Sequence, residues 1–383
     1  MTPKKRIYFD VTAITDFPYT DGIRRVILSW LHALSTSDQS VELQIIPVIW
    51  HGNNFKVSFK WARDRSFSLS PAGLDGLEWK PAKSDVLFVP SYALFQRYST
   101  VDWIRVASQV RVVSVLYDLL PVTNPEWFPN EVGFDFRNAF KNQITFSSDV
   151  IVNSNHVKNE LIRLHSEEFK IPNLPNIWVV PLSGDNLKTK FAVVSSEKKN
   201  NWKSREISRI NRVLDRNRNK KILLMVGTIE PRKAHLQIIN YLSKSKLNEE
   251  IFLVIVGRLG WKSSDFLAII KKRSTKKFSI WFDNLSDEGI VHLYKKSNLY
   301  LAASFDEGFG LPLLEARAND LIICARDIPV FREVAPSNTV FFEIDNLENA
   351  LIYALDHSNE IFAEGVTCLN SVEDQVGKLL KIL

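Results

Sequence analysis

Short apolar runs alternate with longer stretches of helical period along the whole chain. In the first half, β-branched and apolar runs at residues 6–9, 43–49, 86–89, 110–116, 150–153 and 178–181 predict strands. Between the first two, Ile23, Val26, Ile27, Trp30, Leu31 and Leu34 recur at helical spacing and predict an amphipathic helix. Asp21 is placed to cap it, and Gly22 lets the entering backbone turn tightly. The pattern lapses over residues 186–220 and resumes with runs at 222–226, 252–256, 279–282, 299–302, 321–325 and 340–342. The chain ends in an amphipathic stretch with Val372, Val376, Leu379, Leu380 and Leu383 on one side.

Two successive strand–helix series predict an α/β protein with two doubly wound, mostly parallel sheets. The expected domains are residues 1–185, a linker and entry helix at 186–220, a second domain at 221–365, and a last helix at 366–383 that could return to the first domain. A length of 383 residues is ample for two ordinary cores.

Composition narrows the classes. Hydrophobic content of 45% and charged content of 24% are those of a globular protein. Two cysteines, Cys324 and Cys368, offer neither a disulfide framework nor metal-ligand spacing, so a reducing, cytoplasmic setting is expected. No apolar run reaches the ~18 residues of a membrane helix. Net charge is +6, yet residues 186–220 carry eleven Lys/Arg against three acids. That segment reads as a solvated linker, with contact to anionic headgroups as a second reading. Nothing in it resembles a nucleic-acid motif. Residues 91–106, "SYALFQRYSTVDWIRV", read first as a helix or loop packed on the first domain and second as a membrane-facing surface.

In doubly wound sheets, ligands sit beyond the carboxyl ends of the strands. After the run ending at Val226 comes "GTIEPRKAHLQIINYL", where Gly227 allows a sharp exit and Pro231 suits a helix start. Arg232 and Lys233 then stand near a helix N-terminus, a favourable place for a phosphate or diphosphate. After the run ending at Ala302 comes "SFDEGFGLPLLEARAND". Gly308 and Gly310 let main-chain N–H groups approach a ligand, and Glu307 and Glu315 flank the turn as acceptors for sugar hydroxyls.

The string "EGFGLPLLEA" resembles the signature of the retaining glycosyltransferases of family 4, whose GT-B fold has two facing Rossmann-like domains with an inter-domain cleft. "VGTIEPRK", "DNLSDEGIVHLYKKSNLYLAASFDEGFG" and "RDIPVFREV" resemble neighbouring motifs of that family. "DVTAI", "TDGIRRV", "LYDLLPVTNPEWFP", "VNSNHVKNEL" and "WVVPLSGD" are similar to motifs of its first domain. The resemblance implies that Glu307 contacts the donor sugar and that Glu315 binds the ribose. Arg232 and Lys233 would neutralise the diphosphate, beside Gly227 and Thr228. Backbone at Gly308, Phe309, Gly310 and Leu311 would hold sugar and phosphate, with the base near Arg258 and Leu285. Gly22, Tyr117 and Asp118 would face the cleft from the first domain.

There are departures from the family pattern. Thr228 stands where an Arg is usual, Tyr117 where a His is usual, and Asp320-Leu321-Ile322 replaces Gly-x-Pro. His235 reads as a helix residue and not a ligand. No two aspartates are two apart, so a metal-holding Asp-x-Asp is missing and protein cations would stabilise the leaving group without a metal or other cofactor. The function implied is transfer of a hexose such as mannose from a nucleotide diphosphate sugar, GDP-mannose for example, to a glycan or lipid-linked glycan in polysaccharide or O-antigen synthesis. The alternative is a catalytically weak sugar-nucleotide-binding or scaffold protein. A nicotinamide oxidoreductase is disfavoured because Gly-x-Gly-x-x-Gly does not follow the first strand. A glycan phosphorylase is disfavoured because no pyridoxal lysine stands out.

Overall fold

The computed structural model describes residues 5–15, 22–36, 43–52, 54–59, 76–91, 99–184, 200–358, 360 and 371–383. They form two compact units: residues 1–123, 130–194 and 370–383 make the first, and residues 124–129 and 195–369 the second.

The first unit holds a seven-stranded sheet. Its strands are β1 (Lys5–Asp10), β2 (Leu43–His51), β3 (Asn54–Val57), β4 (Val86–Val89), β5 (Arg111–Leu116), β6 (Asp149–Val152) and β7 (Asn176–Val179), in the order β3-β2-β1-β4-β5-β6-β7. All neighbours pair in parallel except β3, which folds back antiparallel on β2. The central strands β4 and β6 are buried at every position, which is why they read as unbroken apolar runs. The predicted helix is Gly22–Thr36, and it buries Val26, Ile27, Trp30, Leu31 and Leu34. Its proposed cap, Asp21, lies outside the described residues. The closing helix Val372–Ile382 packs in this same unit, where Trp30 Nε1 donates to Gln375 Oε1 at 2.6 Å.

The second unit holds six parallel strands: β8 (Lys221–Val226), β9 (Ile251–Val256), β10 (Ser279–Phe282), β11 (Leu299–Ala302), β12 (Ile322–Arg326) and β13 (Val340–Phe342). Their order is β10-β9-β8-β11-β12-β13. Strand order therefore reverses between β8 and β11, which lie side by side although residues 227–298 separate them. The core beneath includes Leu223, Leu253, Ile255, Ile238 and Leu301.

The basic stretch resolves into a helix, Asn200–Arg216, that docks on the second unit. Lys203 pairs with Glu288, the Arg209 guanidinium lies 5.1 Å from the Phe282 ring centroid, and Asn211 bonds His292 at 2.7 Å. Glu206 accepts from the Ser286 N–H at 3.2 Å, while Ser286 caps the helix Asp287–Lys296 by accepting from the Gly289 N–H. Residues 186–199 lie outside the described residues. Of the aromatic and basic stretch at 91–106, residues 92–98 also lie outside them. The rest includes a helix, Thr100–Ala107, that buries Trp103 and exposes Val101 and Ile104. Among the described residues, no helix is long and apolar enough to cross a membrane.

Candidate active site

The reversal between β8 and β11 is the place where a doubly wound sheet opens a crevice at its carboxyl edge. Two loops leave the sheet there. The first runs from Gly227 into a short 3-10 turn, Pro231–Lys233, and then the helix His235–Lys244. The second runs from Ala303 to the helix Leu311–Ala318. They are tied together by the Phe305 N–H, which donates to the Arg232 carbonyl at 2.8 Å.

This tie brings Arg232, Lys233 and Glu307 into contact. Arg232 Nη1 lies 2.6 Å from Glu307 Oε2, Lys233 Nζ pairs with Glu307 Oε1, and the Ser304 hydroxyl donates to the same carboxylate at 2.7 Å. Glu307 is only 7% exposed. Burial alone would raise its pKa, but the two cations, with hydrogen bonds from Lys233 and Ser304, outweigh it and hold the carboxyl down to about 2. The Lys233 stem packs over Gly227, whose missing Cβ would meet Lys233 Cε at 3.4 Å.

Arg232 Nε also pairs with Glu230 Oε1 at 2.6 Å. Two cations thus face two carboxylates and the cluster is formally neutral. A diphosphate would meet preplaced N–H donors rather than an uncompensated positive field.

His235 is a helix residue, as its sequence position led one to expect. It starts its helix, yet it is 3% exposed and lines a small cavity with Lys233, Tyr300, Ser304, Glu307 and Phe331. Burial, then the charges of Lys233 and Arg232, lower its pKa to about 3, so it is neutral near pH 7. Beside it, burial and then Glu307 and Glu315 push the Tyr300 phenol well above its usual value.

The Gly-Phe-Gly turn is built by shape. Gly310 caps the next helix with φ of 95°, and an added Cβ would lie 2.7 Å from Phe331 Cε1. Phe309 is buried, Gly308 precedes it, and Leu311 is the first helical residue. Glu315 lies further along that helix, 1% exposed, and its Oε2 accepts from the Tyr294 hydroxyl at 3.3 Å. Arg258 follows β9, and its carbonyl accepts from the Ile229 N–H at 2.8 Å. Leu285 follows β10, just before the cap Ser286. Thr228 adjoins Gly227, and its methyl would lie 2.6 Å from a Cβ on Gly260. The residues expected to hold a donor therefore all belong to the second unit.

Gly22, Tyr117 and Asp118 belong to the first unit. Gly22 opens its helix, Asp118 Oδ1 accepts from the Leu120 N–H at 3.2 Å, and the Tyr117 carbonyl accepts from Asn153 Nδ2 at 2.9 Å.

The sequence reading missed Ser304, Tyr294, Tyr300 and Gly257. Gly257 had a visible signal, since it directly follows the all-apolar β9. Ser304 acts within its own loop on Glu307, Tyr294 joins two helices through Glu315, and Tyr300 reaches from β11 to the Val226 carbonyl of β8.

Residues 206–360 match the family described as "Glycosyl transferases group 1". The serotype-specific mannosyltransferase WbdA of Escherichia coli is 39% identical over 121 residues, which are 31% of this chain and 15% of the relative. The chain thus matches only a small part of that relative's length. The O-antigen chain mannosyltransferase B of Escherichia coli is 26% identical over 113 residues, 29% of this chain and 30% of the relative. Among solved structures, Anabaena HepE in complex with UDP and glucose superposes with a TM-score of 0.65 at 14% identity, covering 99% of this chain and all of that one. Sucrose-phosphate synthase from Thermosynechococcus elongatus gives 0.61 at 14% identity, covering 99% and 98%. These likenesses show the fold, two Rossmann-like domains of the GT-B class, as the sequence led one to expect.

Proposed function

We propose that this chain is a metal-independent, retaining glycosyltransferase that moves a hexose from a nucleotide diphosphate sugar to a glycan acceptor. The observation that carries this reading is the buried Glu307 held between Arg232 and Lys233 at the β8–β11 reversal, inside the stretch that matches group 1. The donor would be GDP-mannose and the pathway O-antigen or other surface polysaccharide, in keeping with the mannosyltransferases that the chain resembles.

The chemistry follows from the cluster. Glu307 stays ionised at all working pH and accepts hydroxyls of the donor sugar. Arg232 and Lys233 turn their remaining N–H groups to the diphosphate, joined by backbone N–H groups from Gly308 to Leu311. When the bond from the anomeric carbon to the diphosphate oxygen breaks, negative charge grows on that oxygen. Donors already fixed in place stabilise it without reorganisation. The acceptor hydroxyl oxygen bonds to the anomeric carbon on the face that the diphosphate leaves, and its proton passes to the departing diphosphate oxygen. Glu315 would take the ribose hydroxyls after its contact with Tyr294 opens, and the base would lie by Arg258 and Leu285. The protein would work as a peripheral enzyme at the inner face of the membrane, where a lipid-linked acceptor is presented.

The test is a panel of sugar nucleotides with the purified protein in the presence of a chelator. Binding stabilises the native state, so the cognate donor raises Tm and is consumed when an acceptor is added. Failure of every sugar nucleotide to raise Tm would overturn the reading. Tight binding with no turnover on any acceptor would favour a scaffold role instead.

A further inference from the structure

The loop that carries Glu307 also carries an exposed aromatic ring that the transfer chemistry does not use. Phe305 is 39% exposed, although Ser304 and Glu307 on the same loop are buried. Its ring stacks with Trp127, centroids 6.2 Å apart and planes 25° from parallel. The Arg326 guanidinium lies 4.7 Å from the Phe305 centroid. Trp127 comes from residues 124–129, a short strap from the first half of the sequence that packs in the second unit.

The arrangement is rigid on every side. Arg326 Nε donates to the Ala303 carbonyl at 2.9 Å and its Nη2 to Gln237 Oε1 at 2.6 Å. Phe128, next to Trp127, meets Trp261 edge-on at 5.4 Å, and Lys262 donates to the Glu126 carbonyl. Trp261 and Leu259 are also exposed. Large apolar rings left in water and locked by this many contacts mark a binding surface more than a packing remainder.

Position names the ligand. Arg258 and Leu285, the expected surroundings of the base, follow β9 and β10 on one side of β8. Phe305 lies on the loop after β11 and Arg326 ends β12, on the other side. A ring stacked here is therefore at the sugar end of the site, not the nucleotide end. A pyranose presents an apolar CH face ringed by hydroxyls, which suits the exposed side of a Trp127–Phe305 stack whose Phe305 ring has the Arg326 guanidinium over it.

We propose that the Trp127–Phe305 pair, with Arg326, binds a pyranose ring of the acceptor glycan. Both the word acceptor and the placement at the sugar end rest on the transferase reading above, whereas the exposed aromatic surface does not. The experiment is saturation-transfer NMR on the full chain with α-mannotriose, maltotriose and chitotriose at millimolar concentration. At least one trisaccharide receives saturation at its ring CH protons from the wild type. Phe305→Leu and Trp127→Leu keep apolar bulk without a π face, and each lowers the transfer several-fold. GDP-mannose raises Tm in both variants as it does in the wild type, which shows that they are folded. No transfer to any trisaccharide in the wild type, or undiminished transfer in both variants, would overturn the proposal. A missing GDP-mannose shift in the wild type speaks against the donor reading alone. With an active acceptor, Phe305→Leu raises the acceptor KM about tenfold and leaves kcat within about threefold; an unchanged KM overturns the acceptor assignment.

Discussion

Glu307 is asked to do two things at once, and its surroundings show the tension. It holds Arg232 and Lys233 in place, and in the transferase reading it also receives sugar hydroxyls. Its removal therefore has a structural cost that removal of Lys233 does not. Glu307→Ala leaves two largely buried cations short of a partner, and breaking such a cluster typically costs about 3–5 kcal/mol. Lys233→Ala leaves the Arg232–Glu307 pair intact, so it keeps most of the stability while turnover falls by about 10²–10³. Urea unfolding beside single-turnover rates separates the two outcomes. Equal stability of both variants would show that the cluster does not hold the loops together. His235 adds a pH signature. The folded state keeps it neutral down to about pH 3, while the unfolded chain protonates it near 6.5. The unfolded state thus binds more protons below pH 6.5, and stability falls as pH drops. From pH 6.5 to 5 this one group removes about 2 kcal/mol. Glu307 acts in the same direction only below 4.5. Urea midpoints against pH should therefore fall for the wild type and fall less steeply for His235→Gln.

The elements that position these residues depend on close backbone approach at the ends of β8 and β9. Gly257 has φ of 156°, and a Cβ there would lie 1.8 Å from the Gly227 carbonyl oxygen. The obstacle is backbone, so no side-chain rotation relieves it. Gly257→Ala is expected to lose at least about 3 kcal/mol, the upper end of ordinary overpacking, and to abolish nucleotide binding with it. Gly310→Ala meets a phenyl ring that can shift, so its loss of stability is smaller. Equal urea midpoints for the two variants would refute that ordering. Strand existence was legible in the sequence because fully buried parallel strands are written as unbroken apolar runs, as in "IFLVIV" of β9. β3 was not, since "NFKV" is four residues with an exposed Lys56 and gains its place by pairing with β2. The site was half legible. The Gly-Phe-Gly turn and the basic pair announced themselves as local chemistry. Their meeting did not, because it follows from β8 lying beside β11, and adjacency across 72 intervening residues leaves no local trace. The left-handed Ala234 at φ 58° was also hidden, because Ala does not favour that backbone state, whereas Asp320 at φ 59° stands where the family pattern has Gly.

At the scale of the molecule, each unit has its own sheet and, among the described residues, its own buried clusters: one on the second sheet around Leu223, Leu253 and Leu301, and two in the first unit around Phe55, Leu87 and Trp103 and around Phe140 and Leu161. Every residue given to the donor lies in the second unit, so ligand and first-unit packing should act on different transitions. The helix Val372–Ile382 offers a clean handle, because it follows the second unit in sequence but packs in the first. Leu379 there is fully buried, on the helix that holds Gln375 against Trp30. Leu379→Ala is expected to cost about 2–5 kcal/mol, all of it in the first unit. Scanning calorimetry should show two transitions. Leu379→Ala lowers one of them, the cognate sugar nucleotide raises the other, and each leaves its counterpart within about 1 °C. A single transition moved by both would mean that the units unfold as one, and that donor binding is felt across the whole chain rather than within the domain that carries Glu307.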